Sequence, residues 1–306
     1  MADRQYDVIV VGGGPAGMTA ALYALRNGKS ALVIEREGFG GQITHSPKVE
    51  NYPGTLQMSG NEFADRLLDQ IMAQGAEIEF ENVVSVERAG KTLTVRTEEG
   101  SAFEGKAVIL ATGASHRLLG LPGEEELVGE GVSYCAICDG DFYADKDVCV
   151  VGGGNSALQE AVLLSDICKT VTILQDMPFL TGEQKLQDVL AKRENVRVRC
   201  GVHVTALLQE NGVLTGVTVR DDGTGAEENT ACDGVFVAIG LVPHNEAFAD
   251  VADLDAAGYF DADERCLSRT PGVYVAGDCR RKSIRQLATA IADGACAAMA
   301  ACRNLD

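Results

Sequence analysis

YDVIVVGGGPAGMTAALYALRNGKSALVIE, residues 6–35, is the stretch whose reading decides the fold. The apolar run at 8–11 suits a strand buried on both faces of a parallel sheet. Three glycines and a proline interrupt it, small and apolar residues follow over a helical length, and a second apolar run closes at Glu35. Strand, glycine turn, helix and strand make a βαβ unit. Residues 146–175, KDVCVVGGGNSALQEAVLLSDICKTVTILQ, spell the same unit again. The likeness continues downstream. Residues 82–113 read as a hairpin-rich β segment ending in a buried strand and Ala111-Thr112-Gly113. Residues 203–240 repeat that pattern, with Asn211-Gly212 as a hairpin turn and Ala238-Ile239-Gly240 at the close.

This repeat predicts an α/β fold of two Rossmann-like, three-layer nucleotide-binding domains, each with a β-meander. After residue 246 the chain holds one more strand, GVYVAGD, and one small-residue helix, RQLATAIADGACAAMAA. Those two elements are too little to fold alone and must complete the first sheet, so the second domain is inserted in the first. The expected domains are 1–116 with 246–306, and 117–245 between them, the chain crossing near 114–118 and 242–247.

Composition narrows the class. The chain has 306 residues, 26 Lys+Arg against 45 Asp+Glu, and a net charge of −19, which argues against nucleic acid as a partner. No apolar run approaches the roughly 18 residues of a membrane helix. The first residues run almost at once into a strand, leaving no room for a signal peptide, and a cytoplasmic protein is expected. Ten cysteines then point to a reducing compartment. Eight stand alone, and only Cys135 and Cys138 form a C-x-x-C pair, without the second pair or nearby histidines of a zinc site; no metal is expected.

Gly12, Gly14 and Gly17 lie between strand and helix, where they let the backbone turn tightly and approach a pyrophosphate at a helix start. Glu35 ends the next strand, where an acid accepts hydrogen bonds from an adenosine ribose. FAD fits this site better than NAD because Gly277-Asp278 closes a strand just before the last helix, placing an aspartate for the ribityl chain. Cys135 and Cys138, three residues apart, can close a small disulfide ring, and Asp139 can move a proton as a thiol leaves or attacks. Beside a flavin, such a dithiol can exchange two electrons; the alternative is a pair of ordinary buried cysteines.

Taken together, GGGPAG (12–17), Gly40-Gly41-Gln42, Asn51-Tyr52-Pro53-Gly54, ATG (111–113), CAICD (135–139), GGGNSA (152–157), GD (277–278) and Arg285-Gln286-Leu287 make the chain resemble the low-molecular-weight thioredoxin reductases along essentially its whole length. The resemblance implies FAD in the outer domain, held by Gly12, Gly13, Gly14, Pro15, Ala16, Gly17, Glu35, Gly41, Gln42, Asn51 and Val84. It adds Ala111, Thr112, Gly113, Gly277, Asp278, Arg285, Gln286 and Leu287. It implies that Cys138 faces the flavin, that Cys135 attacks the thioredoxin disulfide, and that Asp139 is the general acid. It also implies a homodimer whose inserted domain swivels, first burying the dithiol at the flavin and then presenting it to thioredoxin.

The donor is where the sequence departs from that pattern. Gln175 stands after the second loop where Glu35 stands after the first, followed by Asp176, Met177 and Thr181. Relatives that use NADPH resemble one another here in a His-Arg-Arg triplet with a further Arg four residues on. Each lost charge-assisted bond to a 2′-phosphate is worth about 1.5–3 kcal/mol, so losing two or three weakens binding about a thousandfold or more. The chain is most similar to the ferredoxin-reduced subgroup that lacks these arginines. RRKSIR (280–285), a basic cluster in an acidic protein, could steer an acidic ferredoxin towards the flavin; the alternative is a set of solvated charges with Arg285 bound to the cofactor. NADH stays open, since Gln175 can hydrogen-bond a ribose. A small-molecule dithiol oxidase using oxygen also stays open, as does a flavin-binding regulatory protein, although the intact Cys135, Cys138 and Asp139 argue against the last.

Overall fold

The computed structural model describes residues 5–46 and 49–305. The chain begins with β1 (Gln5–Val11), α1 (Pro15–Arg26), β2 (Ala31–Glu35), α2 (Gly60–Ala73), β3 (Glu77–Phe80), β4 (Val83–Ala89), β5 (Thr92–Thr97) and β6 (Ala102–Leu110). A short strand, β7 (Ala114–His116), leads to β8 (Val132–Ser133), α3 (Ala136–Asp139), β9 (Asp147–Val151), α4 (Asn155–Ser165), β10 (Thr170–Gln175), α5 (Gln184–Leu190) and β11 (Val196–Cys200). A meander of β12 (Val202–Glu210), β13 (Val213–Asp221) and β14 (Glu227–Ala231) precedes β15 (Gly234–Val237). The chain returns through β16 (Leu241–Pro243), which pairs with β7, and finishes with β17 (Val273–Val275) and α6 (Leu287–Leu305).

The chain divides into two compact units, 1–115 with 242–306, and 116–241. The outer sheet contains the parallel order β3-β2-β1-β6-β17, and the inserted sheet runs β11-β10-β9-β15-β8, parallel throughout. The two sheets share a register as well, with Val8 opposite Ala31 and Val148 opposite Val171. They differ in where the fifth strand comes from. In the outer unit it is β17, reached only after the insertion; in the inserted unit it is β8, made before the glycine loop. The α/β architecture expected from the repeat is therefore the one observed. The meanders diverge: β4 and β5 extend the outer sheet through β6, whereas β12–β14 form a separate antiparallel sheet. Asn211 and Gly212 both have positive φ (54° and 80°), the turn that matches hairpin twist.

Alternation along the strands builds two cores per unit. In the outer unit Val8, Val10, Ala31 and Val33 face α1, α2 and α6, while Ile9, Val11, Leu32 and Ile34 face β4, β5 and the aromatics Phe248 and Phe260. In the inserted unit Val148, Val150, Val171 and Ile173 pack on α4, and Cys149, Val151 and Leu174 on β12 and β13. Small residues let α1 and α6 approach closely: a Cβ on Gly294 would collide with the Ala16 carbonyl. The second crossing joins the outer unit earlier than the residue 246 expected. Asn245 is fully buried there, accepting from Thr112 and donating to the Gly258 and Cys279 carbonyls.

Candidate active site

The first glycine loop is held open for a ligand by its own backbone. Gly12 has φ +106°, and a Cβ there would strike the Ala111 carbonyl, so the turn needs glycine. A Cβ on Gly17 would strike the Gly12 carbonyl, which fixes how closely α1 approaches β1. The Gly13 N–H donates to Glu35 Oε2 at 2.6 Å, and the Glu37 N–H to Oε1 at 2.9 Å, so the carboxylate is locked beside the loop with lone pairs to spare. Pro15 opens α1 and no side chain caps its start, leaving N–H groups facing outward for an anion. Gly41 lies against this loop, with Gly14 Cα 3.5 Å from where a Cβ on Gly41 would stand.

The strap at 277–287 arrives beside the same helix start, a Cβ on Gly277 reaching 2.7 Å from Ala16 Cβ. Asp278 Oδ1 is buried and ion-paired with Lys282 at 3.1 Å, yet has no aligned hydrogen-bond donor, an acceptor waiting for a ligand hydroxyl. Burial pushes its carboxyl up, against the pull of Lys282 and Arg285. Arg285 lies 4.0 Å over the Tyr259 ring and donates to the Asp278 and Arg280 carbonyls. Asn51 donates to Gln286 at 3.2 Å, just before Leu287 starts α6. Ala111 lies under Gly12, and Thr112 and Gly113 follow at the end of β6. Gln42 is exposed on the turn after Gly41, and Val84 sits on β4 at the sheet's far edge. This cradle fits an adenine dinucleotide.

The basic cluster is not the open positive patch its sequence suggested. Arg280 grips Asp293 of α6 through two hydrogen bonds of 3.2 and 2.9 Å, and Lys282, its side chain 9 % exposed, bridges Asp278 and Asp293. Only Arg281 projects outward among these three, and it pairs with Asp261. The charges point inward because the buried Asp293 and the half-buried Asp278 are there to receive them. Burial works to raise Asp293, and Arg280 and Lys282 more than reverse it, holding its carboxyl below the usual range.

In the inserted unit Cys135 and Cys138 are joined as a disulfide across the first turn of α3, with Cα atoms 5.3 Å apart. The Cys138 N–H donates to Cys135 Sγ at 3.2 Å. Ser133 organises the acid: its hydroxyl donates to Asp139 Oδ2 at 2.6 Å and accepts the Cys135 N–H at 3.1 Å. Burial pushes Asp139 up, partly offset by that Ser133 bond, which suits an acid that must be protonated to donate. The other eight cysteines carry no disulfide, and seven of them are at least partly buried.

The second glycine loop keeps the turn and loses the acid. Gln175 is 5 % exposed and packs on the loop, its Cδ 2.6 Å from where a Cβ on Gly153 would stand. The Thr181 and Gly182 N–H groups close on the Gly153 carbonyl at 2.9 Å. Asp176 accepts its neighbour's N–H at Met177, and Met177 and Phe179 are exposed. Between 176 and 183 stand two acids and no cation. The α4 start is uncapped by any side chain, as at α1.

Comparison with known proteins bears on this geometry. Residues 6–294 match the family described as pyridine nucleotide-disulphide oxidoreductase. The chain belongs to that family. It is 41 % identical to the thioredoxin reductase of Listeria monocytogenes over 95 % of its length and 91 % of that protein's. It is 39 % identical to the thioredoxin reductase of Bacillus subtilis, over 97 % and 93 % of the two chains. The crystal structure of thioredoxin reductase from Streptococcus pyogenes superposes with a TM-score of 0.93 at 37 % identity, covering 99 % of both chains. The fold and the oxidoreductase class follow from these together. Ser133 and Asp293 are residues beside these sites that sequence reasoning missed, and Lys282 was read only as part of the basic cluster.

Proposed function

We propose that this flavoprotein disulfide reductase of the thioredoxin reductase type carries FAD in its outer unit, receives electrons from reduced ferredoxin, and delivers them through Cys135 and Cys138 to thioredoxin. FAD, when bound, supplies a carrier that accepts single electrons and releases a pair. Gly12, Gly13, Gly14 and Gly17 with the start of α1 would hold its pyrophosphate, Glu35 its ribose, and Asp278 its polyol chain. Two reduced ferredoxins, each losing one electron, and two protons convert one disulfide into two thiols.

The dithiol does the exchange. Cys135 thiolate attacks the thioredoxin disulfide, one sulfur leaves and is protonated from Asp139, and Cys138 then attacks Cys135 to release the second thiol and restore the Cys135–Cys138 bond. The observation that carries the choice of donor is the turn after β10. Where a 2′-phosphate would need guanidinium, residues 176–183 offer only Asp176 and Glu183 as charges. The uncapped start of α4 favours NADH as the second reading. A homodimer in the cytoplasm is the expected form, and among the described residues no helix is long and apolar enough to cross a membrane.

Anaerobic reduction of the flavin-loaded protein tests the donor. NADPH, NADH and photoreduced ferredoxin are added separately, with thioredoxin as acceptor and flavin absorbance as readout. Bleaching by ferredoxin alone, with thiols appearing on thioredoxin, is the expected result. Rapid bleaching by micromolar NADH or NADPH overturns it, and peroxide formation with a small dithiol would instead favour the oxidase.

A further inference from the structure

Among the described residues, three buried side-chain oxygens have no hydrogen-bond partner: Asp278 Oδ1, Asp139 Oδ1 and Glu160 Oε2. The first has a cation beside it, and the other two, both in the inserted unit, do not. Glu160 lies on α4, and its carboxylate accepts the N–H of Ala136, the residue between Cys135 and the exposed Ile137 on the first turn of α3. Asp139 ends that same turn. One acid on α4 therefore holds an N–H of this four-residue turn and one acid within the turn accepts from Ser133, each leaving a buried oxygen without a donor.

We propose that Glu160 is a positioning residue for the dithiol chemistry, holding the second proton of the exchange and returning it through Asp139. The proposal rests on the disulfide-reductase reading above. Its proton balance is closed. Two enzyme thiols and one substrate disulfide become one enzyme disulfide and two product thiols, so both thiol protons must reach the product. Forming the attacking Cys135 thiolate releases one proton and forming the Cys138 thiolate releases the other, while Asp139 alone can store one. With Glu160 protonated beside it, Asp139 takes the Cys135 proton and gives it to the first leaving sulfur, regains one from Glu160 and gives it to the second, and Glu160 takes the proton that Cys138 loses as it attacks.

The surroundings agree. Burial pushes Glu160 up to about 8, against the Ala136 N–H, and the negative charge of Asp139 pushes the same way. Tyr143 follows α3 and is itself raised to about 12 by burial, then by Asp139, Glu130, Asp233 and Cys168. No cation acts on Glu160 among the described residues. A carboxyl pair without a counter-ion keeps one proton at neutral pH because both members cannot ionise cheaply.

The test uses flavin-loaded full-length protein, its dithiol prereduced with stoichiometric dithionite and mixed with a disulfide between pH 6 and 9. Two acceptors are run, thioredoxin and a small aromatic disulfide, with thiols counted after alkylating quench. In the wild type the single-turnover rate falls as pH rises through about 8. In Glu160→Gln, which keeps an acceptor for the Ala136 N–H, that fall disappears and the rate at pH 7 drops about tenfold; Glu160→Asp restores the fall. A Glu160→Gln profile matching the wild type with both acceptors overturns the proposal. If Glu160→Gln changes the profile with the small disulfide while no protein form reduces thioredoxin, the proton role stands and thioredoxin falls as the partner. Should the variant not fold, infrared spectra of the wild type decide: the neutral carboxylic acid stretch must vanish as pH is raised from 6 to 9, and its absence at pH 6 is fatal.

Discussion

The two glycine loops share one turn and differ at two residues that matter. Both turn on a positive-φ glycine, at φ +106° for Gly12 and +124° for Gly152, and both lead into a helix whose start no side chain caps. In the outer loop a carboxylate receives the Gly13 N–H; in the inserted loop a neutral amide packs on Gly153 instead. The third loop position is Gly17 in one and Ala157 in the other. The Ala157 methyl fills the space beside the inserted loop, its Cβ 3.3 Å from where a Cβ on Gly152 would stand. The turn itself is required by strand–helix geometry and persists in both. What differs is the side chain at the end of the second strand and the room between loop and helix.

The largest test of that difference is steric. Gly17→Ala puts a methyl into the Gly12 carbonyl and should cost about 3 kcal/mol or more, with purified protein holding no flavin. The mirror substitution, Ala157→Gly, should cost only about 1 kcal/mol, the ordinary helix penalty. Denaturant unfolding and the flavin-to-protein absorbance ratio measure both. Equal effects in the two loops would show that they are packed alike after all.

Charge gives the next effect. Glu35→Gln removes the ionised partner of the Gly13 N–H, about 1.5–3 kcal/mol, so FAD dissociation should rise roughly 10- to 100-fold, read by fluorescence of released flavin. In the inserted loop the reverse experiment adds what is missing: Asp176→Arg, Met177→Arg and Thr181→Arg together should let NADPH bleach the flavin. If the triple variant stays inert to NADPH while its turnover with the wild-type donor is unchanged, charge is not what separates the two loops.

Much of this comparison was legible in the sequence because the repeat is local. A strand, three glycines and a small-residue helix lie within thirty residues, and hydrophobic periodicity reports them directly, as does C-x-x-C followed by Asp139. Long-range partners were not legible. RRKSIR reads as exposed charge until Asp293 on α6 is seen beneath it, eleven residues beyond Lys282 and on another element. Ser133 and Glu160 are common residue types whose importance comes from burial and from the atoms they face, and neither is written in spacing. The order of strands was half legible: the sequence shows that β17 must return to the outer sheet, and not that β8 takes its place in the inserted one.

The smallest effect separates the units by their buried acids. In the outer unit Asp293 is met by Arg280 and Lys282 and held low, so the stability it contributes is present above its unfolded value and lost as pH falls. In the inserted unit Glu160 meets no cation and is raised to about 8, so its contribution is present at acid pH and lost as pH rises through that value. Amide hydrogen exchange, corrected for the intrinsic rate at each pH, should show protection in α4 declining from about pH 5 to 8, between the ordinary and the folded value of Glu160, while that in α6 holds. Glu160→Gln should flatten the α4 response without touching α6. A common decline in both helices would mean that global opening governs exchange, and a flat α4 in the wild type would mean that Glu160 is already ionised in the folded protein, removing the physical basis for treating the two units' acids as opposites.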